Sequence, residues 1–243
     1  MTSSAISVPQ KSDIWHYQIE SLRKLERVLG IPIDEIKEAA GKREFLYNPF
    51  ILTKRNKSRE ISNPHARLKL IQKRIVKNMF SRYLFPDYII GGVKGRNRLE
   101  HPALHVRKKV VVTVDIKDCF PSITEQRIYL LFRKRLRCSK DVAELLTALT
   151  AIKGALPLGN PTSNFLANLA LLPCIERIKG IADESGLDMD QYVDDQGLSG
   201  EALANDLISR IAREFTKKRF SCKPKENICH ESGKVAGSDK HHG

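Results

Sequence analysis

Gln191-Tyr192-Val193-Asp194-Asp195-Gln196-Gly197-Leu198-Ser199 sets two adjacent carboxylates between the β-formers Tyr192 and Val193 and a Gly-Leu-Ser run. That pattern predicts a tight hairpin with the acids at its tip. An Asp-Asp pair alone says little, because Asp is a common turn residue that bonds its own backbone. Upstream, Val110-Val111-Val112-Thr113-Val114 is a β-branched run that ends in Asp115. A buried strand terminating in an acid, beside a hairpin presenting two more, would gather three carboxylates at one point. Carboxylates that close repel one another and stay ionised only with cations between them. Such oxygen ligands suit Mg²⁺, and two ions about 3.5–4 Å apart are the clamp used for in-line nucleotidyl transfer.

Composition narrows the partners. The 243 residues suffice for one large domain or two small ones with a substantial core. A formal net charge of +14 favours a polyanion, nucleic acid before an anionic membrane surface. No apolar run approaches the roughly 20 residues of a membrane span, and Met1 to Ser12 lacks the apolar centre of a signal peptide. Five cysteines, odd in number and without CxxC spacing, predict reduced thiols in a cytoplasmic protein.

Outward from the acids, helical spacing over residues 13–30 with Gly30 as a stop, and over 34–41 with Asp34 as cap, predicts packing helices. Tyr47 to Leu52 reads as a strand that turns through Asn56-Lys57-Ser58 into a basic hairpin; residues 54–74 hold eight Lys or Arg and a single acid. From Pro64 a helix is expected, with Leu68, Ile71, Ile75 and Met79 as its apolar stripe. Ile89 to Asn97 has three glycines in no Walker or dinucleotide pattern and is expected to be a flexible basic loop that nears nucleic acid. His101 and His105, four apart, have no third metal partner nearby. Pro121 is expected to end the strand that carries Asp115, with helices following over 124–136 and 139–151. Gly154 to Ser163 is expected to be a loop of exposed amides feeding a helix to about Lys179, a combination that suits phosphate or template contacts. A helix over 201–219 precedes a polar tail from Ser221, read as disordered or strand-rich; its Cys and His residues match no common zinc spacing.

Asp115-Ile116-Lys117-Asp118-Cys119-Phe120-Pro121-Ser122-Ile123 resembles the first catalytic motif of bacterial reverse transcriptases. Leu156-Pro157-Leu158-Gly159-Asn160-Pro161-Thr162-Ser163 resembles the second, usually LPQGAPTS, and Tyr192-Val193-Asp194-Asp195 the third. Lys54 to Ile61 and Pro64 to Gln72 resemble the fingers motifs, and Lys225 the lysine that follows the palm helix. His101 to His105 and Val235-Ala236-Gly237 look like worn versions of the NAxxH and VTG signatures of retron enzymes. The likeness runs collinearly over roughly residues 45–237 and is to the retron and group II intron-like type, including its defence-associated branch.

The resemblance implies an α+β right-hand polymerase. N-terminal helices would occupy 1–44, fingers 45–110 interleaved with the palm, palm 111–237 and a tail 238–243, with the thumb reduced or absent. It implies an RNA-directed DNA polymerase that adds deoxynucleotides to a primer 3′-hydroxyl, on a structured non-coding RNA in a retron or anti-phage defence system. Asp115, Asp194 and Asp195 would be catalytic and, with Ile116, would hold two Mg²⁺ ions, Mn²⁺ being a substitute. Lys54, Lys57, Arg59, Phe120, Leu158, Gly159 and Lys225 would contact the incoming nucleotide, Phe120 excluding a 2′-hydroxyl by its bulk. Arg67, Lys69, Lys73, Arg74, Lys94, Arg96 and Arg98 would contact nucleic acid. Leu158 stands where the family usually has glutamine, so an amide contact to the nucleotide is missing. The implied partners are an RNA template, the DNA product, dNTPs, and a protein partner or second copy that completes the groove, with no membrane. Two rival readings are a template-independent or protein-primed polymerase and a catalytically silent RNA-binding subunit; the intact acid triad argues against the silent one.

Overall fold

Ser21 starts the first helix by accepting the N–H of Lys24 on its hydroxyl at 3.2 Å, and Gly30 ends it with φ 62°. This helix, α1 (Leu22–Leu29), is shorter than the 13–30 expected: Gln18 to Ser21 are not helical, and residues before 18 lie outside the described ones. The computed structural model describes residues 18–54, 57–97 and 100–228. They form a mixed α+β fold in two units, the described residues up to Phe85 together with Ile123–Leu166, and Pro86–Ser122 together with those from Ala167 onward.

In the first unit, α2 (Ile33–Gly41) begins one residue before Asp34, so Asp34 and Glu35 sit in its first turn and complement the helix dipole; Asp34 is not the cap. Strands β1 (Tyr47–Lys54) and β2 (Lys57–Pro64) pair antiparallel from Tyr47↔Pro64 to Lys54↔Lys57. The turn therefore falls at Arg55 and Asn56, outside the described residues, and Lys57 and Ser58 belong to a strand. Helix α3 (Ala66–Asn78) buries Leu68, Ile71 and Ile75 on one stripe, as its spacing predicts. Two further helices of this unit lie beyond residue 123. Thr124 caps α6 (Glu125–Leu130), which continues as a π-turn over Leu131–Arg135, and Ser139 caps α7 (Lys140–Thr150). Leu25, Leu29, Ile36, Leu146 and Leu149 complete the apolar core, beside a stack of Phe80 on Phe165 at 3.8 Å.

The second unit holds α4 (Glu100–Ala103), β3 (Val110–Lys117), the one-turn α5 (Cys119–Ser122), most of α8 (Ser163–Glu184), β4 (Asp188–Tyr192), β5 (Asp195–Gly200), α9 (Leu207–Lys217) and β6 (Ser221–Ile228). Its sheet is antiparallel in the order β4-β5-β3-β6. The strand carrying Asp115 ends at Lys117, and Pro121 lies inside α5. The last helix starts at Leu207, with Leu203 outside it, and Ser221–Ile228 is an ordered strand paired with β3. No helix among the described residues is long and apolar enough to cross a membrane.

Candidate active site

Strand β3 is central in its sheet and alternates strictly: Val112, Val114 and Ile116 are buried, while Val111, Thr113 and Asp115 point to the opposite face. That alternation selects the face on which the first acid appears. In the register with β5, Asp115 lies directly opposite Asp195, and residues opposed in this way share a face. Asp194 belongs to the two-residue turn between β4 and β5, closed by the pair Tyr192↔Asp195. The Ile116 N–H donates to the Asp194 carbonyl at 3.0 Å, tying the turn to β3. Burial, reinforced by the carboxylates of Asp194 and Asp115, pushes the Cys119 thiol far above its ordinary range. Negative charge therefore accumulates at this end of the sheet. Among the described residues no three Asp, Glu, His or Cys side chains close into a preformed metal cage.

The turn that carries the acids is held from several sides. Val193 has φ 58°, a left-handed conformation that β-branched residues rarely adopt. Positive φ at the first central residue alone matches a type II′ hairpin, where glycine is usual. The buried Gln191 side chain donates to the Val193 carbonyl at 2.7 Å, and that of Gln196 to the Asp194 carbonyl at 3.2 Å. Both glutamines flank the acids in the sequence, yet nothing in their spacing distinguishes a brace from a strand residue.

A second brace comes from the glycine loop. Ile90 and Gly91 N–H groups donate to the Gln191 carbonyl at 2.8 and 3.2 Å, and the Gln191 N–H to Tyr88 O at 2.7 Å. A Cβ on Gly91 would lie 2.6 Å from Val193 N. The amide of Asn168, on α8, donates to Gly91 O at 2.7 Å. The expected flexible loop is thus a fitted buttress, and the backbone it approaches is its own hairpin.

His105 closes the hairpin lower down. Its imidazole lies on Gly197, where any Cβ would collide with it, and bonds Ser199 Oγ of β5 at 2.7 Å and Asp190 Oδ1 of β4 at 3.2 Å. By alternation Gly197 and Ser199 share the face of Asp195, so His105 covers the sheet on the acids' side. Asp190 and Ser199 are fully buried.

Several known proteins resemble this chain in sequence. No family model matches, but the chain is 30% identical over 185 residues to the retron Se72 reverse transcriptase of Salmonella heidelberg, covering 75% of this chain and 49% of that protein. It is 26% identical over 220 residues to the retron Ec86 reverse transcriptase of Escherichia coli, covering 89% and 67%. With the retron Mx162 reverse transcriptase of Myxococcus xanthus it shares 31% over 202 residues, covering 73% and 41%. This chain is related to the retron reverse transcriptases. It spans about half the length of the first of these relatives, and between 41% and 67% across the three.

The other residues singled out by the retron-like motifs are placed as follows. Phe120, in α5, is buried, with 7% of its surface exposed. Lys225 stands opposite Thr113 on β6. Lys94 is exposed, whereas Arg96 is committed to its own loop: its guanidinium donates to Pro86 O at 2.5 Å and to Ile89 O, and pairs with Asp87 at 3.0 Å. Arg98 and Val235 to Gly237 lie outside the described residues.

In the first unit, Arg59 is an exposed residue of β2, and the strand positions of Lys54 and Lys57 face each other at the hairpin's end. Leu158 O accepts the Ser62 N–H at 2.9 Å. Gly159, at φ 102°, meets the hairpin where a Cβ would come 2.7 Å from Ile61 Cγ2. Asn160 donates to the Tyr47 hydroxyl at 2.8 Å, and Ser163 Oγ to Pro157 O at 2.6 Å. The loop expected to display free amides is half buried, at Leu156, Pro157, Asn160, Thr162 and Ser163, with Gly154 and Gly159 exposed. Arg67 pairs with Glu38 at 2.7 Å, and the Arg67 and Lys42 side chains together hold that carboxyl at about 2. Lys73 and Arg74 are exposed and Lys69 is half-buried.

Proposed function

We propose that this chain is the fingers-and-palm part of an RNA-directed DNA polymerase of the retron type, extending a primer 3′-hydroxyl on a structured non-coding RNA. The observation that carries the reading is the register Asp115↔Asp195 with Asp194 in the adjoining braced turn. In this reading residues 45–110 supply fingers and 111–237 the palm. The donor set fits Mg²⁺: the carboxylates of Asp115, Asp194 and Asp195 and the Ile116 carbonyl are all hard oxygen ligands. When bound, the ions would lower the pKa of the attacking hydroxyl and neutralise the triphosphate. Gln191, Gln196 and Gly91 would hold the acids in position for that chemistry. Phe120 is assigned the sugar, and Lys54, Lys57, Arg59 and Lys225 the phosphates, with Leu158 and Gly159 assigned to the incoming nucleotide without a finer role.

The test is extension of a labelled primer with dNTPs and Mg²⁺, with an RNA template and without any template. Template-dependent extension is expected for the wild type. Asp194→Asn keeps the shape but loses the charge, and should reduce extension by at least about a thousandfold while RNA binding persists. Extension without template, or appreciable synthesis by Asp194→Asn, would refute the proposal.

A further inference from the structure

The first unit carries an open cleft of about 810 Å³ between α1 and the end of α3 with the segment following it, lined by Lys24, Arg27, Lys77 and Arg82 with Asn78 and Ser81. No carboxylate lines it. Lys24 and Arg27 are three apart on α1 and share a helix face. The Asn78 amide donates to Val28 O at 2.7 Å, fixing the two walls to each other. Among the described residues, the side chains of Lys24, Arg27 and Lys77 make no ion pair. Like charges converging on one cleft repel, and the cost is relieved when an anion lies between them. An open trough suits a polymer passing through better than a small ligand, which calls for an enclosed pocket. Several cations on two helices suit successive phosphates of a nucleic-acid backbone.

We propose that this cleft is a separate nucleic-acid site that holds the phosphodiester backbone of an RNA segment. The inference rests on nucleic acid being the partner and not on the polymerase chemistry. Its test measures binding of the full chain to a fluorescein-labelled RNA duplex by anisotropy, across a series of KCl concentrations. Lys24→Ala/Arg27→Ala/Lys77→Ala should weaken binding at least about tenfold and lower the slope of log affinity against log salt by about 2 to 3. Lys134→Ala/Lys140→Ala/Arg213→Ala removes the same charge from exposed positions elsewhere, and should weaken binding less than about threefold. Lys24→Arg/Lys77→Arg keeps the charge and should retain the affinity. Equal losses in the two triple variants would reduce the cleft to a share of net charge and overturn the proposal. So would undiminished RNA binding by the cleft variant, or a loss seen only with tripolyphosphate or phosphatidylglycerol vesicles as the probe. Primer extension is not read in this experiment, so failure of the polymerase reading leaves its result unaltered.

Discussion

Val193 pairs a β-branched side chain with φ 58°, which costs on the order of 1–3 kcal/mol and persists only where the surroundings over-determine it. Here they do: two buried glutamines hold the turn carbonyls, and the Gly91 backbone leaves no room for the turn to shift. Gly91→Ala places a methyl group against backbone, which cannot rotate away. The expected outcome is a loss of primer extension of about a hundredfold, in line with the cost of a 1 Å misplacement, with RNA binding within a factor of about two. Normal extension by a folded Gly91→Ala protein would show that the turn tolerates displacement. Cys138 supports a prediction of a different kind. Burial pushes its thiol from 9.0 up to about 12 in the native state. The stabilisation is therefore complete below pH 9.0 and is lost as pH rises from there toward 12, because only the unfolded chain then releases the proton. Melting temperatures compared between the wild type and Cys138→Ala should converge over that window; a constant difference would contradict the shift.

At the level of elements, the hairpin β4–β5 is held at both ends. The glutamines and Gly91 secure its tip, and His105 joins Asp190 on one strand to Ser199 on the other. Gly197 is needed beneath the imidazole because any side chain would occupy its place. His105→Ala should destabilise the protein by about 2–3 kcal/mol in urea denaturation, since buried polar partners lose a hydrogen bond and a cavity opens. Combining it with Asp190→Ala should be less costly than the sum of the single changes by at least about 1 kcal/mol. Strict additivity would show that the two side chains act independently. The loop Leu156 to Ser163 illustrates the same principle in the first unit. Gly159, the Asn160 amide and the Leu158 carbonyl meet β1 and β2, at Ile61, Tyr47 and Ser62.

For the whole molecule, a net charge of +14 would make the proposed RNA binding, where independent of sequence, steeply dependent on salt. Affinity for an arbitrary RNA is expected to fall by at least about a hundredfold between 50 and 200 mM salt. A flat salt response would mean that few of the cations meet phosphate, leaving the charge to solubility alone. What the sequence determined by itself was local. A β-branched run ending in Asp115, and acids beside a turn, follow from short-range preferences, as do the helix starts near residues 124 and 139 and the stop at Gly30. The motif likeness to reverse transcriptases was equally legible, because it lies in contiguous residues. Tertiary structure alone decided the register that sets Asp115 opposite Asp195, and which face the pair occupies. It also decided that Gly91, Gln191, Gln196 and His105 brace the hairpin, and that Arg67 and Arg96 are bound to their own chain. Each of those facts depends on a partner brought in by folding. Residue type states what a side chain can bond, whereas only packing states what lies within 3 Å of it.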